Sequence, residues 1–254
     1  MKLNIVPARQ GLQWVKLGIQ TFLKQPLALA GLFFMYIAAV VVVSMIPVLG
    51  IVIGGILVPA ATLGLMAATA EAAKGNFPMP TVLVSAFRAG RQRARAMLVL
   101  GAIYTAGSLL ASSLAGLISG GTPADGPGDM GAATLLALAL HAPLFLMFWH
   151  APALVHWHGV SPAKSLFFSV VACFRNFPAF LVYGLAWLAV FLGIGSAIGL
   201  VGGILGGATV ARAVMMPTAL LMAAMFSTSI YFTFRDSFSA ADEEADPAPP
   251  DLLR

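Results

Sequence analysis

The sequence predicts an all-α polytopic membrane protein, with six transmembrane helices as three parallel helical hairpins, amphipathic interfacial helices, and both termini cytoplasmic. Three observations predict it. First, 60% of the 254 residues are apolar and 9% charged, whereas soluble globular chains carry about 25% charged residues. Too little polar surface remains to coat a water-soluble particle, and a mean hydropathy of +0.94 agrees. Second, charge-poor runs long enough to cross a bilayer recur along the chain. Third, the basic residues gather in alternate connections. This composition excludes a cytosolic enzyme, a secreted disulfide scaffold and a disordered regulator.

Residues 1–26 are predicted to form an amphipathic interfacial segment. Leu12, Val15, Ile19 and Phe22 share one helical face, with Lys16, Gln20 and Lys24 elsewhere, so the helix lies in the interface with its aromatics at headgroup depth. A spanning helix needs about 20 mostly apolar residues. Leu27 to Ala70 holds no charge and accommodates two spans, broken at Ile46–Gly50, where Pro47 and Gly50 favour a turn. Met97 to Ile118 supplies a third span and Ala132 to Val155 a fourth. Phe177 to Phe234 contains one charge, Arg212, and supplies two more. The transmembrane domain covers 27–235, with spans at 27–47, 51–71, 97–118, 132–155, 178–199 and 209–233. Residues 236–254, with six acidic residues and several prolines, read as a disordered acidic cytoplasmic tail. That tail folding onto Arg88–Arg95 as a brake is the less simple alternative. The start of the chain lacks the apolar core and small-residue cleavage site of a signal peptide.

Lys and Arg are retained on the cytoplasmic side of a bilayer. Thirteen of the 14 basic residues fall before span one, between spans two and three, between four and five, or after span six. The connection Gly120–Gly131 carries Asp125 and Asp129 and no basic residue. This places both termini inside.

An internal repeat supports the hairpins. Phe22–Pro26 and Phe174–Pro178 share F-x-x-x-P, each just before a span, and Phe87-Arg88 matches Phe174-Arg175. Spans two, four and six each hold a proline (Pro59, Pro143 and Pro217), and Pro59–Gly75 and Pro143–Gly159 have equal spacing. All three units begin on the same side, as parallel rather than inverted repeats do. Chance matching in an apolar sequence is the competing reading. The P-x-[DE]-x-x-[KR] motif of mitochondrial carriers is absent.

The opening run Pro7-Ala8, Gly11, Trp14, Gly18, Phe22, Pro26 (P-A-x-x-G-x-x-W-x-x-x-G-x-x-x-F-x-x-x-P) resembles an uncharacterised proteobacterial six-helix inner-membrane protein family. Members begin with a tryptophan-containing amphipathic segment and continue into about six spans. The resemblance covers the opening motif and the hydropathy outline of nearly the whole chain. It implies location and architecture, and no activity.

Few residues offer chemistry. Arg212 lies inside a span, where a cation costs at least about 2.5–3.5 kcal/mol, so it is either a substrate contact in a cavity or an interfacial anchor. His141-Ala-Pro143 recurs as His150-Ala-Pro152; nine residues apart, the two histidines point to opposite sides of an ideal helix, which argues against one metal centre. They are candidate substrate or coupling contacts beside the simpler reading of polar packing. Arg88, Arg91 and Arg95 share a face and are candidate anionic-lipid contacts, each worth about 1 kcal/mol near a charged surface; topology alone also explains them. Gly195, Gly199, Gly203 and Gly207 repeat every four residues as a helix-packing stripe. Their partner is another helix of this chain or a second copy, or part of Gly199–Gly207 is a turn. Cys173, the one cysteine, reads as a packing residue.

No nucleophile elbow, zinc-protease helix or phosphate loop occurs. The sequence predicts no enzyme, no cofactor, no metal and no nucleic-acid partner. Two functions remain. One is a protein acting through lipid contacts, chiefly anionic phospholipids, or through a membrane-protein partner or homo-oligomer. The other is a small-solute or ion transporter using Arg212 and the span-four histidines. Sparse intramembrane polar groups favour the first.

Overall fold

Ten helices and one pair of short strands make up the computed structural model, which describes residues 1–47, 49–119, 132–205 and 207–239. The expected outer loop and most of the acidic tail lie outside the described residues. The chain opens with β1 (Lys2–Leu3) and the helix α1 (Gln10–Lys24). Six helices are long and apolar enough to cross a membrane. These are α2 (Pro26–Ser44), α3 (Leu49–Ala73), α5 (Arg91–Ile118), the pair α6 (Ala132–Phe148) and α7 (Ala151–His158), α9 (Phe177–Leu205) and α10 (Gly207–Ser237). A 3₁₀ turn, Pro80–Val84, and the one-turn helix α4 (Ser85–Arg88) lie between α3 and α5. The amphipathic α8 (Pro162–Arg175) precedes α9, and β2 (Phe238–Ser239) closes the described chain. The protein is a helical polytopic membrane protein.

Helix boundaries follow local chemistry. Pro26 opens α2, where its missing N–H is not needed. Gly75 and Gly159, the equally spaced glycines of the repeat, both adopt positive φ just beyond the ends of α3 and α7. Only glycine takes this conformation freely. Phe22 and Phe174, paired in the same repeat, differ: Phe22 is buried and Phe174 exposed. α5 starts earlier than the expected span because its arginines are already helical, and α9 runs on through the glycine stripe to Leu205.

The contacts form a ring. α3 packs against α2, α5, α7 and α10, the 3₁₀ turn and α4 lie on α3, α8 lies on α6 and α7, and α1 lies on α9 and α10. α1 and α8 therefore dock mainly on spans other than the ones they lead into, whereas α4 bridges α3 and α5. Lipid tails are as apolar as leucine, so close packing rather than water exclusion holds such helices together. Gly101 accordingly sits against the backbone of Ile56 where α5 crosses α3.

Two expectations need correction. The exposed face of α1 includes Leu12, at 55% exposure, while Gly11, Trp14, Val15, Gly18, Thr21 and Phe22 are buried. The helix turns its small residues inward because Gly11 meets Ala179 and Tyr183 of α9 and Gly18 meets Ser229 of α10. Hydropathy periodicity finds Val15 and Phe22 but scores glycine and threonine as neutral, so it includes the exposed Leu12 and misses Gly11, Gly18 and Thr21. The tail also begins later than Asp236, since residues 236–239 are ordered. β1 and β2 pair antiparallel, Lys2 with Ser239 and Leu3 with Phe238, which brings the two ends of the described chain together.

Candidate functional site

Four polar regions stand out in an otherwise apolar molecule. The first joins the chain ends. Asn176, fully buried, is the single residue between α8 and α9. Its Oδ1 accepts the Val6 N–H at 2.9 Å, and its Nδ2 donates to the Asn4 carbonyl at 3.0 Å. Asp236 Oδ2 accepts from Gln10 Nε2 at 2.7 Å and from the indole of Trp14 at 2.9 Å. Arg235 Nε donates to Oδ1 at 2.7 Å. Trp14 is wholly buried against Phe180 and Tyr183. The buried side-chain donors of Trp14 and Asn176 each meet an acceptor, as burial demands. Sequence reasoning missed Asn176 and Asp236. The nearest signal was Trp14, whose indole N–H needs a partner once buried.

The second region is the break between α6 and α7. Pro152 lacks the N–H needed to continue a helix, which leaves Trp149-His150 as a turn. His150 is completely buried and encircled by Phe180, Phe234 and Phe238. Its backbone N–H donates to Ser169 Oγ at 3.0 Å, and that hydroxyl donates to the Leu146 carbonyl at 2.7 Å. Thr233 Oγ1 donates to the Ile230 carbonyl at 2.7 Å, so it accepts from Trp149 Nε1 at 3.0 Å and from His150 Nε2 at 3.3 Å. This bonding assigns the proton to Nε2 and leaves His150 Nδ1 a bare acceptor with no partner.

The third region is a cavity of about 240 Å³ where α3, α5, α6 and α10 meet. His141, Thr62 and Tyr104 supply its polar lining among Leu144, Phe148 and Phe226. His141 Nδ1 lies 2.8 Å from the Ala137 carbonyl and so carries the proton, and Nε2 faces Ser108 Oγ at 3.5 Å. His150 does not line this cavity, so the span-four histidines are not brought together. Among the described residues no group of three or more His, Cys, Asp or Glu is arranged to hold a metal.

The fourth is the basic connection. Arg88, Arg91 and Arg95 are all exposed, as is Arg93. Among the described residues none of them has a carboxylate partner: Glu71 pairs with Lys74 at 3.3 Å and Asp236 with Arg235.

Arg212 is exposed near the start of α10 and lines no cavity among the described residues. The glycine stripe needs correction as intramolecular packing. A Cβ added at Gly195, Gly199 or Gly203 would meet nothing within 4 Å, while one at Gly202 would meet Ala211 at 2.6 Å. α9 thus presents a different face to α10, and Gly207, the first residue of α10, takes φ +71°. Cys173 is buried, and burial pushes its thiol up to about 12.

A Burkholderia thailandensis protein with the name "Probable inner membrane protein" is 37% identical over 265 residues, covering 98% of this chain and 98% of its own. No protein-family model matches the sequence, and no solved structure matches it.

Proposed function

The chain belongs to the same family as the Burkholderia thailandensis inner-membrane protein, and from that premise we propose that it is a multi-pass inner-membrane protein acting through lipid or partner contacts rather than by catalysis. One observation carries this reading: the buried polar groups are mostly engaged in holding helices together, whereas the cations that lack carboxylates stand at the surface. Asn176, Ser169, Thr233 and Ser229 are fully buried and hydrogen-bonded. Arg88, Arg91, Arg93 and Arg95 are exposed and unpaired among the described residues. Anionic headgroups would supply the missing charge.

The orientation belongs to the same proposal. The ends of the described chain meet, and the gathering of basic residues in alternate connections supports a cytoplasmic placement of both. Reporter fusions after Ser239 and within residues 120–131 test it, with cytoplasmic signal expected only from the first.

The test of function is mild purification from native membranes followed by mass spectrometry of retained lipid and protein. Stoichiometric anionic phospholipid or one reproducible partner is expected. A second reading, transport, draws on the His141 cavity at the centre of four spans. Solute or ion flux in liposomes, abolished by His141→Ala in a folded protein, would replace the contact reading with transport.

A further inference from the structure

The connection from α3 to α5 does more than carry arginines. After Gly75 it turns back along α3, bringing the Leu83 backbone against Gly64, where an added Cβ would lie 2.7 Å from Leu83 Cα. Gly64 is nine residues before the end of α3 at Ala73, about 14 Å along the helix at 1.5 Å per residue. The returning segment and α7 border an open surface concavity of about 330 Å³ lined by Thr81, Val82, Ser85, Arg88, Ala89 and His156. Ser85 Oγ and His156 Nδ1 are buried there without a hydrogen-bond partner. Buried polar atoms are rarely left in that state. Arg88 stands on the same wall. Both described carboxylates, Glu71 and Asp236, are engaged elsewhere.

We propose that this concavity binds a phosphate group, with Arg88 supplying charge and Ser85 Oγ and His156 Nδ1 supplying fixed donors. A phosphate offers several strong acceptor oxygens to one guanidinium and two neutral donors, which this arrangement matches. The ligand's identity rests on the lipid-contact reading above, under which the phosphate is that of a phospholipid headgroup. Free phosphate would use the same donors.

The full chain, purified in detergent, is titrated with phosphatidylglycerol, with diacylglycerol of the same tails, and with inorganic phosphate, reading affinity from thermal shift. Phosphatidylglycerol should bind and diacylglycerol should not. Arg88→Gln should weaken that binding about tenfold, the size of one charge-assisted hydrogen bond. Ser85→Ala, which keeps both charge and volume, should weaken it several-fold, while Lys16→Gln on exposed α1 should leave it unchanged. Arg88-dependent binding of inorganic phosphate without lipid binding would uphold the site and overturn the lipid reading. Equal binding of phosphatidylglycerol to the parent, Arg88→Gln and Ser85→Ala proteins would overturn the site and leave the lipid reading standing. Absence of binding by both phosphate-bearing probes would overturn the site.

Discussion

The chain-end clamp and the α3–α5 connection are both polar regions beside the spans, yet they are built on opposite principles. In the clamp, Trp14 and Gln10 donate to Asp236, while Asn176 is satisfied by the backbone of Val6 and Asn4. In the connection, four arginines find no carboxylate among the described residues, and Ser85 Oγ and His156 Nδ1 are buried without partners. A satisfied network rigidifies a fold, whereas unsatisfied donors and unpaired cations store capacity for a ligand. Under the phosphate proposal, the difference would give stability to one region and binding to the other.

Four measurements break or sharpen that contrast. The largest expected effect is kinetic and tests the seating of α8, which leads into Asn176 of the clamp. Burial pushes the Cys173 thiol from 9.0 up to about 12. Its thiolate fraction at neutral pH should therefore be about a thousandfold below that of an ordinary thiol, and maleimide labelling should stay slow until the protein unfolds. The folded state holds this proton more tightly than the unfolded state. Its stabilising contribution is thus complete below pH 9 and declines as pH rises towards 12. Rapid labelling of the folded protein would show that α8 is not seated as described.

Trp14→Ala empties the clamp's centre and should cost about 3–5 kcal/mol, read from unfolding in graded denaturing detergent. Asp236→Ala leaves the indole of Trp14 without its acceptor and should cost about 1–3 kcal/mol by the same measurement. Exposed cations sit at the small end of the scale. Arg91→Gln and Arg212→Leu should each change stability by no more than about 0.5 kcal/mol. If the arginine variants destabilised as much as Trp14→Ala, the division of roles would fail.

Much of the fold was legible in the sequence, and little of the site. A bilayer leaves no water to satisfy backbone groups, so long apolar runs had to become helices, and their number followed from length. Pro26, Gly75 and Gly159 marked boundaries because their backbone chemistry acts locally. The interior face of α1 was legible only in part: Val15 and Phe22 were found, but Gly11 and Gly18 have no hydropathy signature and matter only where another helix arrives. The stripe at Gly195, Gly199 and Gly203 is not used within the chain: its regular spacing was visible, but α10 packs instead at Gly202.

Composition, run length and charge placement were therefore sufficient for a six-helix membrane protein, because the bilayer acts as solvent on each segment independently. Which helix faces touch, that Trp14 finds Asp236 across more than two hundred residues, and that Ser85 and His156 share a concavity with Arg88 were decided by the tertiary structure. Those outcomes depend on close packing and hydrogen bonding between distant segments, and neither leaves a mark on the local pattern of a single chain.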